Sequence, residues 1–167
     1  YHRGIAQRKQ ARITGVAWLD DFCCLMSPGL YEEFALPAMK QAMDALAPTD
    51  DHWRFQHSDS DMAHLLPLLA QLRFDGVNFG PKLTVREIRD AMPRAEIHGQ
   101  IPPFMLRNEP MEHVERKVAE DFLEVGGDGG LVVTTAGSIA AGTSLERIRG
   151  LMQIVETRCR YDGREPT

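Results

Sequence analysis

Five short apolar runs, each ending in polar residues and followed by a helix-start signal, constrain the fold more than any other feature of this chain. The runs occupy 13–19, 53–56, 74–79, 95–97 and 131–133. The polar ends include Asp20-Asp21, His57-Ser58-Asp59, His98-Gly99-Gln100 and Thr134-Thr135. Strands that return through helices deliver their ends to one edge of a sheet, so the alternation predicts α/β architecture with one functional face. A (β/α) barrel keeps its active site at that face.

The helix starts carry their own signals. Thr84-Val85-Arg86-Glu87 and Thr143-Ser144-Leu145-Glu146 fit a capping box. Ser27-Pro28 and Glu109-Pro110 suit proline at the first helical position, and Pro67 must lie in a first turn or bend its helix. The predicted strands are 13–19, 53–57, 74–79, 95–98 and 130–135, and the predicted helices are 28–47, 61–72, 84–91, 110–125 and 144–158.

Five β/α units are fewer than an eight-unit barrel needs. Such a barrel usually has about 250 residues, and this chain has 167. The pattern alone therefore leaves two alternatives, an open parallel sheet or most of a barrel. No linker divides the chain, so we expect a single domain over 1–167.

Composition and charge exclude several classes of protein. With 43% hydrophobic and 26% charged residues, the chain can build a globular core. No run approaches the roughly 18 apolar residues of a membrane span, and we expect a soluble, cytoplasmic protein without a membrane partner. The net charge of −5 argues against nucleic acid as a partner. Cys23, Cys24 and Cys159 are odd in number and form no disulfide framework, which fits a reducing compartment.

Five segments, at 20–37, 57–61, 74–78, 98–103 and 137–143, resemble in this order the motifs of the uroporphyrinogen decarboxylase superfamily, which includes the cobalamin-dependent methyltransferases. Residues 20–28 with Phe34-Ala35-Leu36-Pro37 resemble its "SPxxFxxFxxP" segment. The later segments resemble its His-containing loop, its "G-x-D-V-x" strand, its "x-G-N-x-x-P" turn and its "G-I-P-P-G-T" loop; they lie at 57–61, 74–78, 98–103 and 137–143. The resemblance implies a (β/α)8 TIM-type barrel of which this chain holds only the last five units.

The same resemblance shows where this chain departs from the family. In the decarboxylases the last loop carries a substrate-binding His, and Gly137 stands at that position here. In the cobalamin:thiol methyltransferases a His-x-Cys pair and a later Cys hold a zinc; here His57 matches the His, while Asp59 and Gly137 replace the cysteines. The resemblance therefore implies no thiol-activating zinc site, and any metal at His57 and Asp59 should be a harder ion or a less tightly held zinc.

The candidate catalytic residues are His57, Asp59, Asp21 and Asp20. His57 with Asp59 could bind a divalent metal or form an acid/base couple, or the loop could be structural with Asp61 as a helix cap. Adjacent side chains diverge in extended backbone, so only one of Asp20 and Asp21 should face the mouth. The candidate substrate-binding residues are Asn78, His98, Gln100 and Thr135. Asn78 could hydrogen-bond loop backbone instead of substrate, and a structural role for His98 is an equal alternative.

Two classes of function follow from the resemblance. The first is an enzyme that decarboxylates a carboxylated substrate, in the manner of porphyrinogen decarboxylation, or transfers methyl groups with a corrinoid delivered by a partner protein. The second is a non-catalytic truncated or split-chain piece that needs a partner to complete the barrel. Five units would leave two sheet edges and the inward faces of Val16, Phe55, Val77 and Val132, or their neighbours, uncovered, so we expect a homo-oligomer or a missing N-terminal half.

Overall fold

The sheet has five parallel strands in chain order. The computed structural model describes residues 13–127 and 129–160. Its strands are Gly15–Leu19 (β1), Trp53–Ser58 (β2), Gly76–Phe79 (β3), Glu96–Ile101 (β4) and Leu131–Thr135 (β5). Each strand pairs in parallel with the next, in the order β1-β2-β3-β4-β5. A doubly wound sheet reverses its order at a switch point, whereas a barrel does not. The predicted parallel β/α units are confirmed, and their order is that of part of a barrel.

Helices follow every strand. Helix α1 consists of Pro28–Leu30, a π-helical turn at Tyr31–Ala35, and Leu36–Leu46. The others are Leu66–Leu69 (α2, after a 3-10 turn at Ala63–Leu65), Val85–Ala91 (α3), Pro103–Asn108 (α4), Met111–Asp121 (α5, continued by a π-helical turn at Phe122–Gly126) and Leu145–Arg158 (α6). A 3-10 turn at Cys23–Leu25 lies between β1 and α1. Within the described ranges, no helix is long and apolar enough to cross a membrane.

Two of the four predicted helix starts are found at the predicted residues, and two are displaced by one residue. Ser27 caps α1 by accepting a hydrogen bond from the Leu30 amide at 3.3 Å. Thr84 and Glu87 form the predicted capping box of α3. At α5, Pro110 is the N-cap and not the first helical residue. At α6 the prediction is wrong by one residue, because Ser144 is the cap and accepts from the Arg147 amide, while the Thr143 hydroxyl donates to the Ala140 carbonyl.

Two predicted elements differ in extent, and one helix was not predicted. The helix predicted at 61–72 is only a 3-10 turn and one α-helical turn, with Pro67 near its start as expected. Strand β4 runs on to Ile101, so His98-Gly99-Gln100 is strand and not a turn. Helix α4 was not predicted, because the prolines at 102, 103 and 110 cut it to six residues, too few to show a helical period.

One face of the sheet is packed against the helices, and we call it the covered face. Val77, Phe79 and Ile97 lie there with no exposure, in a cluster with residues of α1, α2 and α3. Arg54 also points to this side, where its guanidinium donates to the Ala47 carbonyl at the end of α1. The covered face holds the hydrophobic core.

The alternating residues lie on the opposite face, which no described helix covers, and we call it the open face. It carries Phe55, His57 and His98, and Val132 at 37% exposure. The prediction for this face named Val16 and Val77 or their neighbours, and Val16 and Val77 themselves pack into the core of the covered face. Their strand neighbours Ala17 and Asn78 occupy the open face instead.

Candidate active site

His57 is positioned by the last residues of β2, beside Asn78 of β3. The two residues are register partners, and His57 Nδ1 lies 2.8 Å from Asn78 Oδ1. The imidazole is mostly buried, with 22% of the side chain exposed. Its place at the carboxyl end of a parallel strand is the place where barrels carry their chemistry.

Asn78 fixes the tautomer of His57. The Asn78 amide nitrogen donates to the carbonyls of His98 and Thr135, the second at 3.0 Å. Its oxygen must therefore face His57, and only a protonated Nδ1 can donate to it. In the neutral ring the lone pair is then on Nε2, which is the atom able to take up or release a proton.

Asp59 lies next to that nitrogen. Its Oδ1 is 3.4 Å from His57 Nε2, and it also accepts a hydrogen bond from the Ser138 amide at 2.8 Å, while Oδ2 accepts from the Ser138 hydroxyl at 2.8 Å. A Cβ at Gly137 would come within 2.2 Å of Asp59 Oδ1, and Gly137 has a φ of +80°. Only glycine fits both the backbone conformation and the close approach. The loop after β5 therefore clamps Asp59 beside His57.

Asp21 supports this pair from the neighbouring strand end. Its Oδ1 accepts from the Asp59 amide at 2.7 Å and from the Ser58 hydroxyl at 3.3 Å. Asp20 instead accepts from the amides of Phe22 and Cys23 and closes its own turn. Of the two adjacent aspartates, Asp21 is the one joined to the His57 and Asp59 loop, and it holds that loop through the Asp59 amide and the Ser58 hydroxyl.

The predicted substrate-binding residues are mostly engaged within the protein. Gln100 is buried and donates to the carbonyls of Gly80 and Leu83. The Thr135 hydroxyl donates to the Gly137 carbonyl at 2.8 Å. Both therefore hold loops at the carboxyl ends of the strands. His98 differs, because its imidazole lies on the open face, where Nε2 is 2.7 Å from Glu96 Oε1.

The thiol of Cys23, near the site, is not activated. Burial, reinforced by the carboxylate of Asp20, raises the pKa of the Cys23 thiol to about 12. A thiol with such a pKa is protonated at neutral pH and is a poor nucleophile or metal ligand. The Cys24 thiol donates to the Asp21 carbonyl within the same turn. We therefore interpret Cys23 and Cys24 as ordinary small residues.

The donor set does not fit a thiolate-bound zinc. Among the described residues, no three His, Cys, Asp or Glu side chains come together in a way that could hold a metal ion. Position 137, which lies against Asp59, has no side chain. Catalytic zinc sites take three donors from the protein, whereas His57 and Asp59 supply only two.

Ser138 and Glu96 were missed by sequence reasoning. Ser138 is 79 residues from the aspartate it holds, and no periodicity or spacing reports such a contact. Glu96 could have been found, since it stands two residues before His98 in a strand, and residues two apart share a face.

These features define a β/α enzyme-like scaffold with a histidine–carboxylate pair at the carboxyl ends of its strands. The family model described as "Uroporphyrinogen decarboxylase (URO-D)" matches residues 7–158, and the chain belongs to that family. No curated protein matches the chain. A solved structure, a methyltransferase from Methanosarcina mazei, is similar with a TM-score of 0.70 and 21% identity over 84% of this chain. The chain spans 41% of the length of that methyltransferase.

Proposed function

We propose that this chain is part of a methyl-transferring enzyme in which His57 carries the proton that the organic substrate exchanges. The observation that carries the proposal is the fixed tautomer of His57, whose Nδ1 donates to Asn78 and whose Nε2 is left for proton transfer. The similarity in fold to a methyltransferase supports the choice of reaction. The side-chain-free position at Gly137 argues against porphyrinogen, because the family's decarboxylases have a substrate-binding His there.

The proton step balances without a metal. When the oxygen or nitrogen of an O–H or N–H group in the substrate forms a bond to the methyl carbon, the bond between that carbon and its donor breaks and its electron pair stays on the donor, while His57 Nε2 takes the proton. In the reverse direction the imidazolium returns the proton to the leaving oxygen or nitrogen. A corrinoid delivered by a partner protein would donate or accept the methyl group. Asp59, clamped by Ser138, stabilises the imidazolium that forms. Thiols are poor candidates as substrates because no thiolate zinc fits.

The proposal is tested with the full-length protein and free methylcobalamin in place of a corrinoid protein. A phenol, an amine and a thiol serve as methyl acceptors, and loss of the methyl group is followed by visible absorbance. We expect transfer to the phenol or the amine, and a kcat lowered by about 10²- to 10⁴-fold in His57→Gln. The matched control is His113→Gln, because His113 lies on helix α5, where it is paired with Glu109 just before that helix.

Two results would contradict this assignment. The first is wild-type turnover by His57→Gln with an unchanged circular dichroism spectrum. The second is loss of carboxyl groups from uroporphyrinogen, measured by chromatography, without any methyl transfer. In that case the decarboxylase alternative replaces the proposal, with His57 protonating the carbon that has lost carbon dioxide.

The second candidate is a chain that needs a partner to complete a barrel. Among the described strands β1 and β5 each pair on one side only, and Leu19 is 69% exposed beside the open face. We propose that further β/α units of the same protein, or a second copy, cover this face.

A further inference from the structure

A second histidine–carboxylate pair lies on the open face, two strands away from His57. His98 and Glu96 stand two residues apart on β4, and their side chains meet with Nε2 and Oε1 at 2.7 Å. The strand register places His57 beside Asn78 and His98 beside Val132, and Asn78 donates to the His98 carbonyl. His57, Asn78 and His98 therefore form one row across the sheet. The Cα atoms of the two histidines are two strand spacings, or roughly 10 Å, apart.

The two histidines have opposite tautomers. Because Glu96 accepts at Nε2, the neutral His98 ring keeps its hydrogen there and has its lone pair on Nδ1. Within the described ranges His98 Nδ1 makes no hydrogen bond, whereas His57 Nδ1 is taken by Asn78. His98 thus presents an unused acceptor on the same face as the acid/base atom of His57.

Packing holds His98 in this orientation. The Phe55 ring meets it edge to face at a centroid distance of 5.0 Å. Phe55 in turn lies over Gly76, where a Cβ would come within 2.8 Å of its ring and 2.7 Å of the Trp53 ring. Glycine at 76 lets the two aromatic rings cover β3 one layer below the row of polar residues. The open face therefore combines an aromatic layer with two imidazoles above it.

We propose that His98 determines substrate specificity by accepting a hydrogen bond at Nδ1 from a hydroxyl or N–H group of a substrate whose ring packs on Phe55. This inference rests on the proposed function for placing the substrate on the open face beside His57. Glu96 is a positioning residue, because it sets the tautomer of His98 without touching the substrate. A substrate that lacks the donor leaves Nδ1 desolvated and unpaired, and so binds more weakly.

Phenol and anisole test the assignment, since the second replaces the donor O–H of the first by a methoxy group. Binding of each to the full-length protein is measured by NMR titration, in wild type and in His98→Phe, which keeps a ring against Phe55. The measured quantity is the dissociation constant of anisole divided by that of phenol. We expect this ratio to be about 3- to 10-fold larger in wild type than in His98→Phe, because only wild type accepts the hydrogen bond from phenol. The control His113→Phe should leave that ratio at its wild-type value.

The tautomer is tested separately by nitrogen-15 NMR of the imidazoles at a pH where they are neutral. We expect hydrogen on Nε2 of His98 and on Nδ1 of His57, with the His98 preference weakened in Glu96→Ala. Equal binding ratios in wild type and His98→Phe, or hydrogen on Nδ1 of His98, would overturn the inference. Wild-type turnover by His57→Gln with the ratio intact would instead overturn the proposed function alone.

Discussion

On the covered face Val77, Phe79 and Ile97 are fully buried among apolar side chains, whereas the next residues along the same strands place Asn78, Glu96 and His98 on the open face. One residue step along a strand therefore separates the core from the candidate chemistry. The two faces can change separately, since a substitution on one side leaves the side chains of the other in place.

The largest expected effect concerns the open face of the chain expressed by itself. We expect residues 1–167 alone to self-associate, because the edges of β1 and β5 and apolar side chains such as Leu19 and Val132 recruit another chain. Sedimentation velocity over a range of concentrations measures this. Replacing Leu19 and Val132 together by Lys should reduce association without changing the circular dichroism spectrum. A stable monomer at every concentration would show that the open face needs no cover.

The next effect is the loss of an apolar side chain from the covered face. Phe79→Ala should lower the free energy of unfolding of the full-length protein by about 3–5 kcal/mol, because it leaves a cavity in the core. Urea denaturation measures the change. Phe104→Ala is the matched control, since Phe104 is 65% exposed and its loss should cost about 0.5 kcal/mol or less. Equal losses for the two variants would mean that Phe104 is also buried in the full-length protein.

The fold was largely predictable because its signals are local. The apolar runs predicted all five strands. The capping box at Thr84 predicted the start of α3 correctly. The first residue of α6 was harder to predict, because Thr143 and Ser144 are both good N-cap residues. Sequence does not say which hydroxyl meets the third helical amide and which, as Thr143 does, closes the preceding turn.

The candidate site was predictable in its residues but not in its connections. His57, Asp59 and Asp21 were found because they stand at strand ends. Their arrangement depends on the register between β2 and β3 and on the contact of Asp59 with Ser138 across 79 residues. Register is decided by how whole strands and helices pack, and a single sequence does not report it. For the same reason Asn78 was expected at substrate or loop backbone, and only the structure shows that it orients His57 and binds two carbonyls.

The smallest expected effect concerns the caps of two helices that cover the sheet. Thr84→Ala removes the acceptor of the Glu87 amide and the hydroxyl that donates to Glu87 Oε2, and should cost about 1 kcal/mol at neutral pH. The backbone amide of Thr84, and then its hydroxyl, hold the pKa of Glu87 below its usual value. A lowered pKa contributes stability above the unfolded-state pKa, and that stability is lost as the pH falls through the folded-state pKa. The cost of Thr84→Ala should therefore shrink in acid.

Ser144→Ala is the matched comparison for that pH dependence. Ser144 caps α6 by accepting from the Arg147 amide, and no carboxylate occupies the third helical position there. Ser144→Ala should also lower the free energy of unfolding by about 1 kcal/mol. That cost should be the same at neutral and at acidic pH. Urea denaturation of both variants at several pH values measures the difference. Parallel pH profiles for the two variants would mean that the Thr84 hydroxyl contributes nothing to the ionised form of Glu87, and that the capping box acts through its backbone bonds alone.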